Sequence, residues 1–155
     1  MKFISRMILS LFLLLVGSAY ADGMPSWNEE ALSAWVGKYP TTTTNGKTVS
    51  ILDQAEVRKI LYKILPASER KALGFYDVEA PIRQVEGFLV VNKCLPHYCP
   101  AELAVIVIDL KNPRLWAGFF LRQEGRTSTR WYSNADDYSV LPEEIRRDFL
   151  ARHGD

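Results

Sequence analysis

One short stretch restricts the fold of this chain more than any other. Residues 103–108 form an unbroken apolar run in which β-branched side chains predominate. Such a run is typical of a β-strand that is buried on both faces, because successive side chains of a strand point to opposite sides of its sheet. The run therefore predicts a strand in the interior of the protein.

Further strand-like segments surround this run and are separated by residues that favour turns. Glu86-Gly87 and Glu124-Gly125 are typical of hairpin turns, and Lys111-Asn112-Pro113 has the chemistry of a tight connection. The strand-like segments are 82–85, 88–92, 103–108, 115–121 and 127–132. Short connections of this kind predict an antiparallel meander of about five strands.

Two residue pairs ahead of the strands have the spacing of capping boxes, which open helices. They are Ser26 with Glu29 and Asp53 with Glu56. The first pair predicts a short helix over about residues 27–36. Behind the second pair, apolar residues recur with helical spacing and form one stripe: Val57, Ile60, Leu61, Ile64 and Leu65.

The helical signals are placed on both sides of the strands. Residues 68–74 add one or two helical turns, and residues 41–44 form a polar connector, so the first third is interpreted as helical. After the strands, Pro142 opens a C-terminal helix whose early acidic and late basic residues match the helix dipole. The order of elements predicts an α+β fold with flanking helices.

The first 21 residues have the pattern of a secretory signal peptide. Lys2 and Arg6 precede an apolar run over 7–16, and small residues at a cleavage signature end with Ala21. The run is too short to span a bilayer. We therefore expect removal of residues 1–21, and a mature chain of one domain over 22–155.

The net charge of the mature chain argues against a function in nucleic-acid binding. Loss of Lys2 and Arg6 leaves 17 basic and 18 acidic residues, a net charge near −1. A nucleic-acid binder carries a basic excess, so no nucleic acid is expected as a partner. The sequence also predicts no membrane insertion.

Cys94 and Cys99 are the two cysteines of the chain. In an exported protein an even count favours a disulfide over free thiols. Closing so short a ring stabilises a fold by only about 2 kcal/mol, so the bridge is interpreted as stiffening one loop. The spacing does not fit a Cys-x-x-Cys redox motif, and these cysteines with His97 are too few ligands for zinc, so neither metal nor cofactor is predicted.

His97 lies in the middle of this ring, beside Pro96. An imidazole displayed on a rigid loop donates hydrogen bonds from either nitrogen, becomes charged beside a carboxylate, and loses little entropy on docking. The alternative is a tight turn in which the side chain satisfies only its own backbone. The residues alone do not decide between these interpretations.

Sequence signatures of catalysis are absent. The chain has no Gly-x-Ser-x-Gly, no His-Glu-x-x-His and no glycine-rich phosphate loop. Adjacent acidic residues such as Glu143-Glu144 point apart and are interpreted as solvated charges. Arg122, Arg126 and Arg130 form either a basic strip or a set of ion-paired and solvated side chains. The protein is predicted to bind a partner and not to be an enzyme.

The loop resembles that of the periplasmic inhibitors of vertebrate (C-type) lysozyme, the Ivy family, whose loop is Cys-Lys-Pro-His-Asp-Cys. Four positions match this motif: Cys94, Pro96, His97 and Cys99. Leu95 and Tyr98 stand where the family has Lys and Asp. The similarity continues into the segments 88–93, 104–109, 118–120 and 131–136.

The resemblance implies a periplasmic inhibitor whose partner is C-type lysozyme, an enzyme that is usually strongly basic. In this family the rigid loop enters the catalytic cleft, where its His bonds to the two catalytic carboxylates. Carried over, His97 would block the substrate site. Tyr98 would stack on aromatic cleft walls, and Leu95 would make apolar contact. Family members can be dimers, and the apolar strand over 115–121 would permit a homodimer.

A binding module of the same fold is the alternative. It would recognise another peptidoglycan-cleaving enzyme or a wall fragment in the cell envelope. The residues at Leu95 and Tyr98 favour a changed target, whereas Cys94, His97 and Cys99 favour lysozyme.

Overall fold

The computed structural model describes residues 26–99 and 101–153. The predicted signal peptide lies outside these residues. The described chain contains the helices α1 (Glu29–Ser33), α2 (Ala55–Ile64), α3 (Ala67–Leu73) and α4 (Glu143–His153). Its strands are β1 (Thr41–Thr44), β2 (Lys47–Ser50), β3 (Val78–Glu79), β4 (Arg83–Val85), β5 (Phe88–Cys94), β6 (Glu102–Asp109), β7 (Leu115–Gln123) and β8 (Arg126–Ser133).

Six of these strands form one antiparallel sheet. Its order is β3-β5-β6-β7-β8, and β4 also pairs with β5. The register aligns Val91 of β5 with Ile106 of β6, and Ile106 with Ala117 of β7. The five strands expected from the sequence correspond to β4–β8, so the α+β class and the meander are confirmed.

β6 is buried on both faces, as residues 103–108 predicted. Alternate side chains, including Ile106, pack into a core shared with α1, α2 and α3. The intervening side chains, including Val105, pack into a second core with α4. The sheet therefore lies between two helical layers.

β7 is covered in the same way, and its residues from Leu115 to Phe120 are buried. The apolar character of this strand is therefore accounted for within the chain, and the homodimer that it would permit stays a prediction. Both of its faces pack against other elements of its own chain.

The predicted apolar face of α2 is confirmed, but the N-cap residues of α1 and α2 differ from those predicted. The stripe of α2 is confirmed, with Val57 and Leu61 buried. Asn28, and not Ser26, caps α1 by accepting the Ala31 N–H at 2.9 Å, and α1 is shorter than expected. Asp53 lies in a 3-10 turn and does not cap α2.

None of the described helices combines the length and apolar character needed to cross a membrane.

The interpretation of the first third as helical is wrong in one place. Residues 41–44 are β1, which pairs with β2 in a separate two-stranded sheet. Asn45 and Gly46 form the turn with positive φ angles of 52° and 73°, a conformation that Asn-Gly favours. The Asn45-Gly46 dipeptide is the feature of the sequence that indicates this hairpin.

Glu79 attaches the hairpin to the main sheet, since its carboxylate accepts the Thr41 N–H at 2.9 Å and the Thr41 hydroxyl at 2.8 Å.

Candidate functional site

The candidate loop connects β5 to β6 at one end of the large sheet. Cys94 is the last residue of β5, and its disulfide to Cys99 joins Cα atoms 5.6 Å apart. The predicted bridge is therefore present. Both strands extend beyond their predicted ends, and Cys94 pairs with Leu103 of β6. The strands thus hold the base of the loop, and the disulfide closes its first half.

Inside the ring the backbone forms a tight turn. The Tyr98 N–H donates to the Leu95 carbonyl at 3.0 Å, which places Pro96 and His97 at the two central positions. His97 has a φ of +67°. Proline at the first central position and a positive φ at the second define a type II turn, whose second position favours glycine or asparagine. His97 therefore occupies a backbone conformation that costs a side-chain-bearing residue about 1–2 kcal/mol.

His97 and Tyr98 are exposed at the tip of this turn. The Tyr98 ring retains 60% of its accessible surface. Within the described residues, no side chain or backbone group makes a hydrogen bond or ion pair with the His97 imidazole. The interpretation of a histidine that satisfies its own backbone therefore finds no supporting contact in the described chain.

Leu95 and Pro96 are placed differently from their neighbours. Leu95 is half-buried and packs against the core on the α1–α3 side of the sheet. Its N–H donates to the Glu102 carbonyl at 3.1 Å, and the Glu102 N–H donates to the Tyr98 carbonyl at 2.9 Å. Pro96 is half-buried. Of the four residues expected to contact a target, two face outward and Leu95 supports the loop from within.

A buried tyrosine supports the base of the loop. The Tyr76 hydroxyl donates to Glu102 Oε1 at 3.1 Å, and Tyr76 is 2% exposed. Burial, followed by the negative charge of Glu102, raises the pKa of Tyr76 above its usual range, so the hydroxyl remains a donor. Nothing in the sequence spacing indicates this pair, because the two residues meet only when the segment after α3 packs beside β6.

The three arginines of β7 and β8 have different environments. Arg130 forms an ion pair with the buried Glu69 of α3, which also accepts a hydrogen bond from Tyr132. Arg122 and Arg126 are exposed beside the β7–β8 turn. The alternative of a continuous basic strip is therefore wrong for Arg130.

A comparison with known protein families supports the resemblance that the loop residues indicated. A family model described as inhibitor of vertebrate lysozyme (Ivy) matches residues 56–153, which include the loop, the large sheet and α4. No curated protein and no solved structure gives a significant match. Because the matched region exceeds half of the 155 residues, the chain belongs to the Ivy family. Members of this family are periplasmic lysozyme inhibitors, and membership implies that this chain inhibits lysozyme.

Proposed function

We propose that this protein inhibits C-type lysozyme by inserting the loop between β5 and β6 into the catalytic cleft. The observation that carries the proposal is the position of His97. It is exposed at the tip of a disulfide-closed turn and has a φ of +67°. Strained residues of this kind occur preferentially at binding and catalytic sites, where the conformation contributes to function.

The chemistry of an imidazole suits the target. The cleft of C-type lysozyme contains two carboxylates, one protonated and one ionised at working pH. His97 donates a hydrogen bond to a carboxylate from one nitrogen and remains able to accept or donate with the other. A hydrogen bond to a charged partner contributes about 1.5–3 kcal/mol. His97 then occupies the site of the scissile sugar linkage and excludes substrate.

The other loop residues contact the walls of the cleft or keep the loop rigid. Tyr98 presents an exposed ring and a hydroxyl, which stack on and hydrogen-bond to the aromatic, polar walls of a sugar-binding cleft. Leu95 anchors the turn in the core, and the disulfide limits its motion. A loop ordered before binding loses less entropy on association. The loop therefore acts as a rigid plug without any chemistry of its own.

Inhibition of hen egg-white lysozyme on bacterial cell walls tests this function. Oxidised mature protein is titrated beside its His97→Ala variant, with His153→Ala, at the chain's other histidine, as the matched control. We expect inhibition that His97→Ala weakens by about tenfold or more, equivalent to about 1.4 kcal/mol. Absence of inhibition by the wild-type protein at high micromolar concentration would reject the function and favour another envelope enzyme or a wall fragment as target.

We also propose that the protein works in the periplasm as a single domain over residues 22–155, after removal of residues 1–21. The basic start, the apolar run and the small residues before position 22 support this proposal. Mass spectrometry of protein from a periplasmic extract tests it. A mature chain that begins at Asp22 is expected, and an intact Met1 in that extract would contradict it.

A further inference from the structure

The loop by itself is too small to account for a stable complex. Specific protein interfaces involve roughly 20–30 residues on each side, whereas the turn presents two exposed side chains, those of His97 and Tyr98. Lysozyme must therefore contact surface beside the loop. Two flanks are available at this end of the sheet, the segment between α3 and β3 and the β7–β8 turn.

The α3–β3 flank is apolar and lies directly beside the disulfide. Val78 pairs with Cys94 in the sheet register and is 44% exposed. Phe75, three residues earlier, is 55% exposed. Large apolar side chains exposed close together are typical of protein contact surfaces.

A groove on the same flank contains an unused hydrogen-bonding atom. The groove has a volume of about 410 Å³, and its lining includes Val78, Asn92, Cys94, Cys99 and Leu103. Its lining also includes Glu79 and three cations, each of which is paired with a carboxylate: Arg83, Lys93 and Arg152. The Asn92 side-chain oxygen is buried and has no hydrogen-bond partner in the described chain. A buried acceptor of this kind is rare in folded proteins. Rotation of the Asn92 amide toward the groove would let its oxygen accept a hydrogen bond from a bound partner.

Charge distinguishes the two flanks. Asp77 is exposed between Phe75 and Val78, and the cations that line the adjoining groove are ion-paired. Arg122 and Arg126 are exposed at the β7–β8 turn, where Glu124 offsets only one of their two charges. A basic enzyme is attracted to the acidic flank and repelled by the cationic one. We propose that the lysozyme-binding surface extends from the loop, across the disulfide, to Phe75, Val78 and Asn92. This inference rests on the proposed function.

A matched pair of double variants tests the inference. Phe75→Ser with Val78→Ser removes the apolar flank. Tyr138→Ser with Val140→Ser removes an exposed aromatic residue and an exposed valine that follow the end of β8, away from the loop. The dissociation constant for hen egg-white lysozyme is measured for both, for Phe75→Ser alone and for His97→Ala, after circular dichroism has confirmed folding.

We expect binding about tenfold weaker for the Phe75/Val78 variant and within about twofold of wild type for the Tyr138/Val140 variant. The inference is overturned if the Phe75/Val78 variant binds like wild type while His97→Ala loses binding, a result that leaves the proposed function intact. It is also overturned if Arg122→Gln with Arg126→Gln weakens binding instead. A wild-type protein that does not bind lysozyme rejects both proposals.

Discussion

The hydroxyl of Tyr76 donates a hydrogen bond to Glu102 at 3.1 Å and connects the segment after α3 to the first residue of β6. Glu102 also bonds through its backbone to Leu95 and Tyr98. One residue thus joins the loop, the sheet and the helical layer. The orientation of the loop is therefore coupled to packing on the α1–α3 side of the sheet.

Replacement of Tyr76 by phenylalanine removes this hydrogen bond and keeps the buried ring. We expect a loss of about 1 kcal/mol in the free energy of unfolding, because Glu102 is half-buried and water replaces part of the interaction. Urea denaturation measures the change. An unchanged midpoint would show that the pair contributes nothing to stability.

Two substitutions at His97 separate backbone strain from binding. Glycine and alanine both remove the imidazole, but glycine adopts a positive φ freely. We expect His97→Gly to be more stable than His97→Ala by about 1 kcal/mol, while both lose inhibition to the same degree. Thermal unfolding and cell-wall assays provide the two measurements. Equal stability of the two variants would contradict the assigned backbone conformation.

Asp109 organises the connection between β6 and β7, at the opposite end of the sheet from the loop. Its carboxylate accepts the Lys111 N–H at 2.8 Å and the Asn112 N–H at 3.1 Å, and it pairs with Arg114. Burial raises the pKa of Asp109, but the hydrogen bonds from Arg114, Asn112 and Lys111 together outweigh it. The pKa is therefore lowered from its usual 3.8.

Because the folded pKa of Asp109 lies below the unfolded one, its ionised form stabilises the fold above about pH 5, and this contribution is lost as pH falls through the folded pKa. We expect Asp109→Asn to lose about 2 kcal/mol at pH 7 and clearly less near pH 3. Urea denaturation at both pH values measures the two differences. A deficit independent of pH would assign the effect to geometry and not to charge.

Gly118 of β7 tests packing between the sheet and α4. A Cβ at this position would lie 2.5 Å from Cζ3 of Trp131, whose ring centroid is 4.5 Å from that of Phe149 in α4. Gly118→Ala therefore displaces a packed ring, with an expected loss of about 1–3 kcal/mol. Inhibition per folded molecule should remain at the wild-type level, because the Trp131 and Phe149 rings pack on the α4 side of the sheet, whereas Leu95 anchors the loop on the α1–α3 side. A stable variant would show that the Trp131 ring moves without cost.

Local patterns in the sequence were sufficient to predict five of the six strands of the large sheet, β4–β8, and the position of the candidate loop. The unbroken apolar run over residues 103–108, the turn dipeptides and the stripe of α2 each depend on neighbours in the chain, so they can be recognised without a structure. The position of Cys94 and Cys99 around His97 is equally local. The turn at Asn45-Gly46 is a local pattern of the same kind.

The remaining features depend on which elements pack together. The Leu95 side chain points inward because it packs against the core on the α1–α3 side of the sheet. Glu79 accepts a hydrogen bond from Thr41 only because β3 lies beside the β1–β2 hairpin. The contact between Tyr76 and Glu102 spans 26 positions of the chain. Such pairings result from the packing of the helical layers against the sheet. They cannot be predicted from the spacing of residues along the chain. The sequence by itself therefore determined β4–β8, the disulfide loop and its histidine, while the tertiary structure decided which loop residues face outward and what supports them.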